Sequence, residues 1–176
     1  MDSVGRGLAG WLATMSAEDT DPLVEAVRQR IGRLARQFDR ILDDVANDQD
    51  ISRGDWTALS VLVRAGRPCT PSDLGRELGL TSGTVSTRIR RLAAAGFAAP
   101  APGGGDARSR PITVTRRGRQ RWRAATAERT RRERELLRSA LDPQQLAAVD
   151  DGLAALLGAL EQRLGAGGTH DLPRHG

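Results

Sequence analysis

The chain has 176 residues, 39% of them hydrophobic, a net charge of +5 and a pI near 11.1, which reads as one domain with extensions, long enough to bury a core. Its single cysteine, Cys69, excludes an internal disulfide and fits a reducing cytoplasm, and no apolar run reaches the roughly 18 residues of a membrane span. All 27 basic residues are arginine; residues 81–138 hold 15 of them against 4 acids, whereas the segments on either side are each acidic.

The N-terminus, with Asp2 and Arg6 among glycines, does not read as a secretory signal. Leu8, Trp11, Leu12 and Met15 recur at helical spacing and predict a short helix within an extension of residues 1–20. Pro22 can open the next helix. Val24, Val27, Ile31, Leu34, Phe38, Ile41 and Val45 then step by three and four, an apolar seam on one long helix over residues 22–48. Such a seam serves either the domain's own core or a second copy of the chain.

Ser52 and Asp55 have the spacing of a capping box, and Trp56, Leu59, Leu62 and Val63 mark the buried face of the helix that follows. Gly66 and Pro68 stop it. Thr70, Pro71 and Asp73 form another start signal, with Leu74 and Leu78 turned inward and Gly79 placed to end the helix in the left-handed conformation. Thr81 or Ser82 caps a further helix whose inner face is Val85, Ile89 and Leu92. Phe97 to Ala99 and Ile112 to Val114 are the expected strands of a hairpin, with Gly103 to Asp106 as its tip.

Two short helices, a tight turn and a charged hairpin make a winged helix-turn-helix, here over residues 51–115. The outward face of the second short helix carries Ser82, Gly83, Thr84, Ser86, Thr87, Arg90 and Arg91, with Arg88 at one margin. Small hydroxylated residues allow close approach to a DNA groove, and arginine can pair bidentately with guanine. In the hairpin, Arg108 and Arg110 are candidates for the minor groove, with Asp106 orienting a neighbouring guanidinium. A basic block between acidic flanks is the footprint of a polyanion partner; for residues 116–138 a solvated arginine-rich helix explains the charge equally well.

Residues 116–165 predict two long helices, the second started by Asp142 and Pro143 and striped by Leu146, Val149, Leu153, Leu156, Leu160 and Leu164. Residues 166–176 lack a core face and read as a disordered tail. The fold class expected is therefore mainly α with a small β-hairpin wing, its terminal helices forming a dimerisation region. No nucleophile–base pair, phosphate loop or metal cluster is visible, so neither an enzyme nor a cofactor is expected. His170 and His175 lie in the tail, far from Cys69. Cys69 precedes a helix N-terminus, where a thiol can become reactive, but it has no resolving cysteine.

The run T-P-S-D-L-G-R-E-L-G-L-T-S-G-T-V-S-T-R-I-R-R-L-A-A-A-G-F, followed by D-A-R-S-R-P-I-T-V-T-R-R-G, resembles the MarR family of transcriptional regulators, over roughly residues 22–165. Asp106, Arg108, Thr115 and Gly118 fall on the family's wing pattern, with Ala107 in place of one arginine. The resemblance implies a homodimer on double-stranded DNA at a pseudo-palindromic operator, usually as a repressor released by a small molecule. The N-terminal helix is similar to that of the family's urate-responsive branch. That likeness implies an effector pocket containing Trp11 and Arg88, and Trp56 is a further candidate for its wall. Thr57 and Pro100 stand where that branch has an aspartate and an arginine, which points to a different aromatic or phenolic effector. The rival expectation is a winged-helix module gripping an acidic protein partner.

Overall fold

The computed structural model describes residues 1–15, 21–102 and 110–165. The order is α1 (Ser3–Leu12), α2 (Pro22–Asp48), α3 (Arg53–Ala65), α4 (Pro71–Leu78), α5 (Ser82–Ala94), β1 (Ala98–Pro100), β2 (Ile112–Val114), α6 (Arg116–Ala140) and α7 (Pro143–Leu164). It is mainly helical with one antiparallel two-stranded hairpin. The chain divides into two compact units, residues 1–42 and 43–176, with the boundary inside α2. The expected tail at 166–176 and the hairpin tip with Asp106 and Arg108 lie outside the described residues.

In the first unit Asp2 caps α1, its carboxylate accepting from the Gly5 N–H at 2.7 Å and from Arg30 at 2.9 Å. Arg33 donates to the Ser3 hydroxyl at 2.5 Å. These two polar ties pin the short helix to α2, while Leu23, Val24, Val27, Ile31 and Leu34 stay exposed along the seam. Val45, in the same seam but in the second unit, is fully buried. The seam therefore serves the core at one end and is uncovered in a single chain at the other.

The second unit is built around α3. Trp56, Leu59 and Leu62 are buried with Leu74 and Leu78 of α4, Val85 and Leu92 of α5, Phe97, Ile112 and Val114. The two indoles are satisfied within this core: Trp56 donates to the Thr126 hydroxyl at 3.3 Å, and Trp122 to Ser60 Oγ at 2.9 Å. The helix starts follow the sequence signals. Thr70 and Asp73 complete a capping box on α4, Thr81 caps α5, and Asp142 with Gln145 boxes α7. Gly66 and Gly79 end α3 and α4 in the left-handed region, at φ of 63° and 64°.

The hairpin pairs Ala98 with Val114, Ala99 with Thr113 and Pro100 with Ile112, one residue later on its first strand than the pattern predicted. Cys69 adds a rung that the sequence did not show, exchanging backbone hydrogen bonds with Ile112 at 2.9 and 2.8 Å. The residue before α4 thus stitches the helix pair to the wing. The other end of the hairpin is seated by Thr115, which donates to the Gly96 carbonyl at 2.7 Å and accepts from the Gly118 N–H at 3.0 Å to start α6. Gly118 is required there: a Cβ would stand 2.0 Å from the Phe97 carbonyl oxygen.

Candidate nucleic-acid interface

α5 presents two faces because its apolar residues recur every three or four positions. Val85 and Leu92 lock into the lobe at 2% and 1% exposure. Ser82, Gly83, Thr84, Ser86, Thr87 and Arg90 are exposed on the other side, as the sequence pattern predicted. Nothing stands within 4 Å of where a Cβ on Gly83 would sit, so this end is open to an incoming surface. Thr81 closes the helix start, its hydroxyl 3.0 Å from that of Thr84. Among the described residues Arg90 reaches back to the Thr87 hydroxyl at 3.2 Å, a contact it can exchange for a stronger acceptor. With Arg76 of α4 and the exposed Arg110 at the root of the wing, it lines a cleft of about 840 Å³ whose floor includes Leu80, Ile89 and Ile112. Among the described residues no acidic side chain lines that cleft.

The other two arginines of α5 depart from the expected pattern. Arg88 is half-buried, and its guanidinium lies against the Cα of Gly54, where a Cβ would come within 2.3 Å of Nη2. Burial pushes this guanidinium's pKa down, opposed by the nearby Asp55 carboxylate. Arg91 remains exposed but is tied to Asp55 at 2.8 Å. The reason is Asp55 itself. Its N–H is held by the Ser52 hydroxyl at 3.1 Å, but its carboxylate turns to α5 instead of closing the capping box. Sequence reasoning saw Asp55 only as a cap. The signal it passed over was two arginines, Arg88 and Arg91, one turn apart along the margin of the buried stripe.

The predicted effector residues are distributed as follows. Trp11 lies in the first unit, exposed, beside a cleft of about 310 Å³ lined with Arg28, Gln29, Gly32, Arg33 and Arg36. Trp56 and Arg88 belong to the second unit. Trp56 is core, at 1% exposure and with its N–H donated to Thr126. Cys69 is likewise buried, and desolvation pushes its thiol pKa up, the opposite of a sensing thiol.

The long basic helix resolves into two kinds of arginine. Arg131 bridges Glu128 and Glu135, and Arg132 joins Glu128 and Asp48, so much of the C-terminal charge of α6 is neutralised along its own surface. Nearer its start, Arg117 and Arg121 lie over the Phe97 ring. Among the described residues no group of three or more His, Cys, Asp or Glu could hold a metal, and no helix is long and apolar enough to cross a membrane.

Comparison with known proteins agrees with this geometry. The family model described as "MarR family" matches residues 49–109, the span from the end of α2 to the hairpin tip. The HTH-type transcriptional regulator PecS of Dickeya dadantii is 29% identical over 148 residues, covering 83% of this chain and 85% of its own length. Two solved structures share the fold. A mutant MepR of Staphylococcus aureus, bound to an oligodeoxyribonucleotide, has a TM-score of 0.60 at 21% identity over 76% of this chain and 97% of its own. The MarR of Staphylococcus aureus in complex with salicylate and kanamycin has a TM-score of 0.67 at 12% identity, covering 80% and 93%.

Proposed function

We propose that this chain is a DNA-binding transcriptional regulator of the MarR family, whose model matches residues 49–109, and that it acts as a homodimeric repressor released from a pseudo-palindromic operator by a small aromatic or phenolic molecule. The observation that carries the reading is the exposed face of α5. Ser82, Gly83, Thr84, Ser86, Thr87 and Arg90 project from a helix whose opposite side is locked in the lobe core. In this reading α5 enters the major groove with its N-terminal end leading. The hydroxyls of Ser82, Thr84 and Ser86 meet phosphates, and Arg90 reads a base edge. Arg108 and Arg110 follow the adjacent minor groove, with Asp106 orienting a neighbouring guanidinium.

Dimerisation is supported by apolar surface that one chain leaves uncovered. α7 runs 22 residues with none buried, and Val149, Leu153, Leu156, Leu157, Leu160 and Leu164 are all exposed. A second copy would cover this stripe and set two α5 helices about 34 Å apart, one turn of duplex. The MepR relative was solved on an oligodeoxyribonucleotide and the MarR relative with salicylate, which supports DNA and an aromatic acid as the two ligand classes. An effector releases DNA only if it binds the wrong lobe spacing more tightly than the right one.

Replacing Arg90 with Ala tests the reading by gel shift. Operator affinity should fall by about 1–3 kcal/mol with preference relaxed at one base pair. If affinity, base preference and salt slope all stay at wild-type values, α5 is not the reading element and a protein partner becomes the better account.

A further inference from the structure

We propose that Asp55 is the positioning residue of the recognition helix: its buried carboxylate, ion-paired with Arg91 while Arg88 packs on the adjacent Gly54, fixes the roll of α5 so that Arg90 alone of the helix's three arginines is aimed at DNA. The proposal rests on the DNA-binding reading above and adds to it a division of labour within α5.

Four observations converge on it. Asp55 is 7% exposed, among the least accessible charged residues of the second unit. One carboxylate oxygen takes Arg91 at 2.8 Å, and the other is buried with no hydrogen-bond partner among the described residues. A buried carboxylate tolerates that state only with a cation held beside it, so the Arg91 guanidinium is constrained by it. Arg88 is fixed separately on the same stretch of α3, its guanidinium packed on Gly54 where no side chain would fit without moving it. Finally, Arg88 and Arg91 sit one turn apart on the margin of α5, with Arg90 between them in sequence and exposed. Two fixed points at that spacing define the rotation of a helix about its axis. The apolar contacts of Val85 and Leu92 hold α5 against the lobe but are non-directional.

The experiment compares operator binding with binding to an unrelated duplex, across salt, for four variants. Asp55→Asn keeps the shape and removes the charge. Arg91→Gln removes its partner. The double variant tests their coupling, and Gly54→Ala displaces Arg88 while leaving the ion pair. Generic electrostatics predicts that losing an acid near DNA tightens binding to every duplex. The clamp predicts the opposite for the operator: Asp55→Asn and Arg91→Gln each weaken it by about tenfold or more, the double is no worse than either single, and non-specific affinity does not fall. Gly54→Ala, which only pushes the tip of a flexible side chain, should fold normally and still lose operator preference. Equal tightening on both duplexes by Asp55→Asn overturns the proposal. So does an Arg91→Gln effect that is additive with Asp55→Asn and lowers the salt slope by about one, since that marks Arg91 as a phosphate contact. If the wild-type protein shows no duplex preference at all, it is the DNA reading that has failed. The clamp is then judged by thermal unfolding of the same four proteins, where absence of coupling between residues 55 and 91 overturns it.

Discussion

Gly118→Ala isolates the seat of the wing. In wild type the Phe97 carbonyl oxygen would lie 2.0 Å from an added Cβ and its carbonyl carbon 2.8 Å away, against an ordinary contact of at least 3.4 Å. The obstacle is backbone, so no side-chain rotation relieves it. That carbonyl also accepts the Thr115 N–H at 3.0 Å, and the Phe97 ring is held in the core at 5% exposure. The clash must therefore be resolved by separating the start of α6 from the start of the hairpin. Overpacking against a fixed neighbour costs about 1–3 kcal/mol. Loss of the Thr115–Phe97 hydrogen bond adds about 1 kcal/mol. For a chain of this size the sum corresponds to a melting temperature roughly 5–15 °C lower. Circular dichroism melts at fixed protein concentration measure it. Gly7→Ala is the control, because a Cβ there meets nothing within 4 Å and the helix gains up to about 1 kcal/mol of propensity. A Gly118→Ala protein melting within about 1 °C of wild type would refute the reasoning, since the Phe97 backbone would then be free to yield.

Three further outcomes are expected. Leu153→Asp with Leu160→Asp, both on the uncovered stripe of α7, should leave the lobe folded but shift the protein to monomer in analytical ultracentrifugation and weaken operator binding; an unchanged sedimentation coefficient would count against a dimer built on α7. Cys69 should react with a thiol reagent at neutral pH only after unfolding, because burial raises its pKa; the raised value also means that its contribution to stability is present below the ordinary thiol range and lost as pH rises through the folded value. In α6, Arg131 and then Arg132 hold Glu128 down at about 2, so these ion pairs persist above the ordinary carboxylate range and are lost as pH falls through about 2, with high salt removing part of the same helical signal at neutral pH.

Much of the lobe was legible in sequence because local signals and the core agreed. The caps at Thr70, Thr81 and Asp142 start helices where hydroxyl, proline and acid spacing placed them, and the apolar stripes of α3, α4 and α5 face one core. What was not legible depended on contacts distant in the chain. Cys69 read as a thiol preceding a helix N-terminus, and its place in the hairpin was hidden because its backbone partner, Ile112, is 43 positions away. Trp56 was a candidate pocket wall until Thr126, 70 positions on, was seen to take its N–H. At Asp55 the helix-capping pattern was a true local signal outcompeted by a tertiary one: a cap bond to its own backbone is worth less than a partner for a charge that α5 buries. Over residues 116–138 the charge block left two readings open. Its count was right, but the spacing of Glu128, Glu133 and Glu135 among the α6 arginines neutralises part of it within the helix.

Selection of bound sequences from a random duplex pool tests the central claim most directly. The account predicts recovery of an inverted repeat whose half-sites lie about one helical turn apart, and an affinity that falls steeply with salt. Arg90→Ala should recover the same repeat with one position in each half-site degenerate. Recovery of no common sequence, or of one indifferent to Arg90, would contradict the claim that α5 reads DNA.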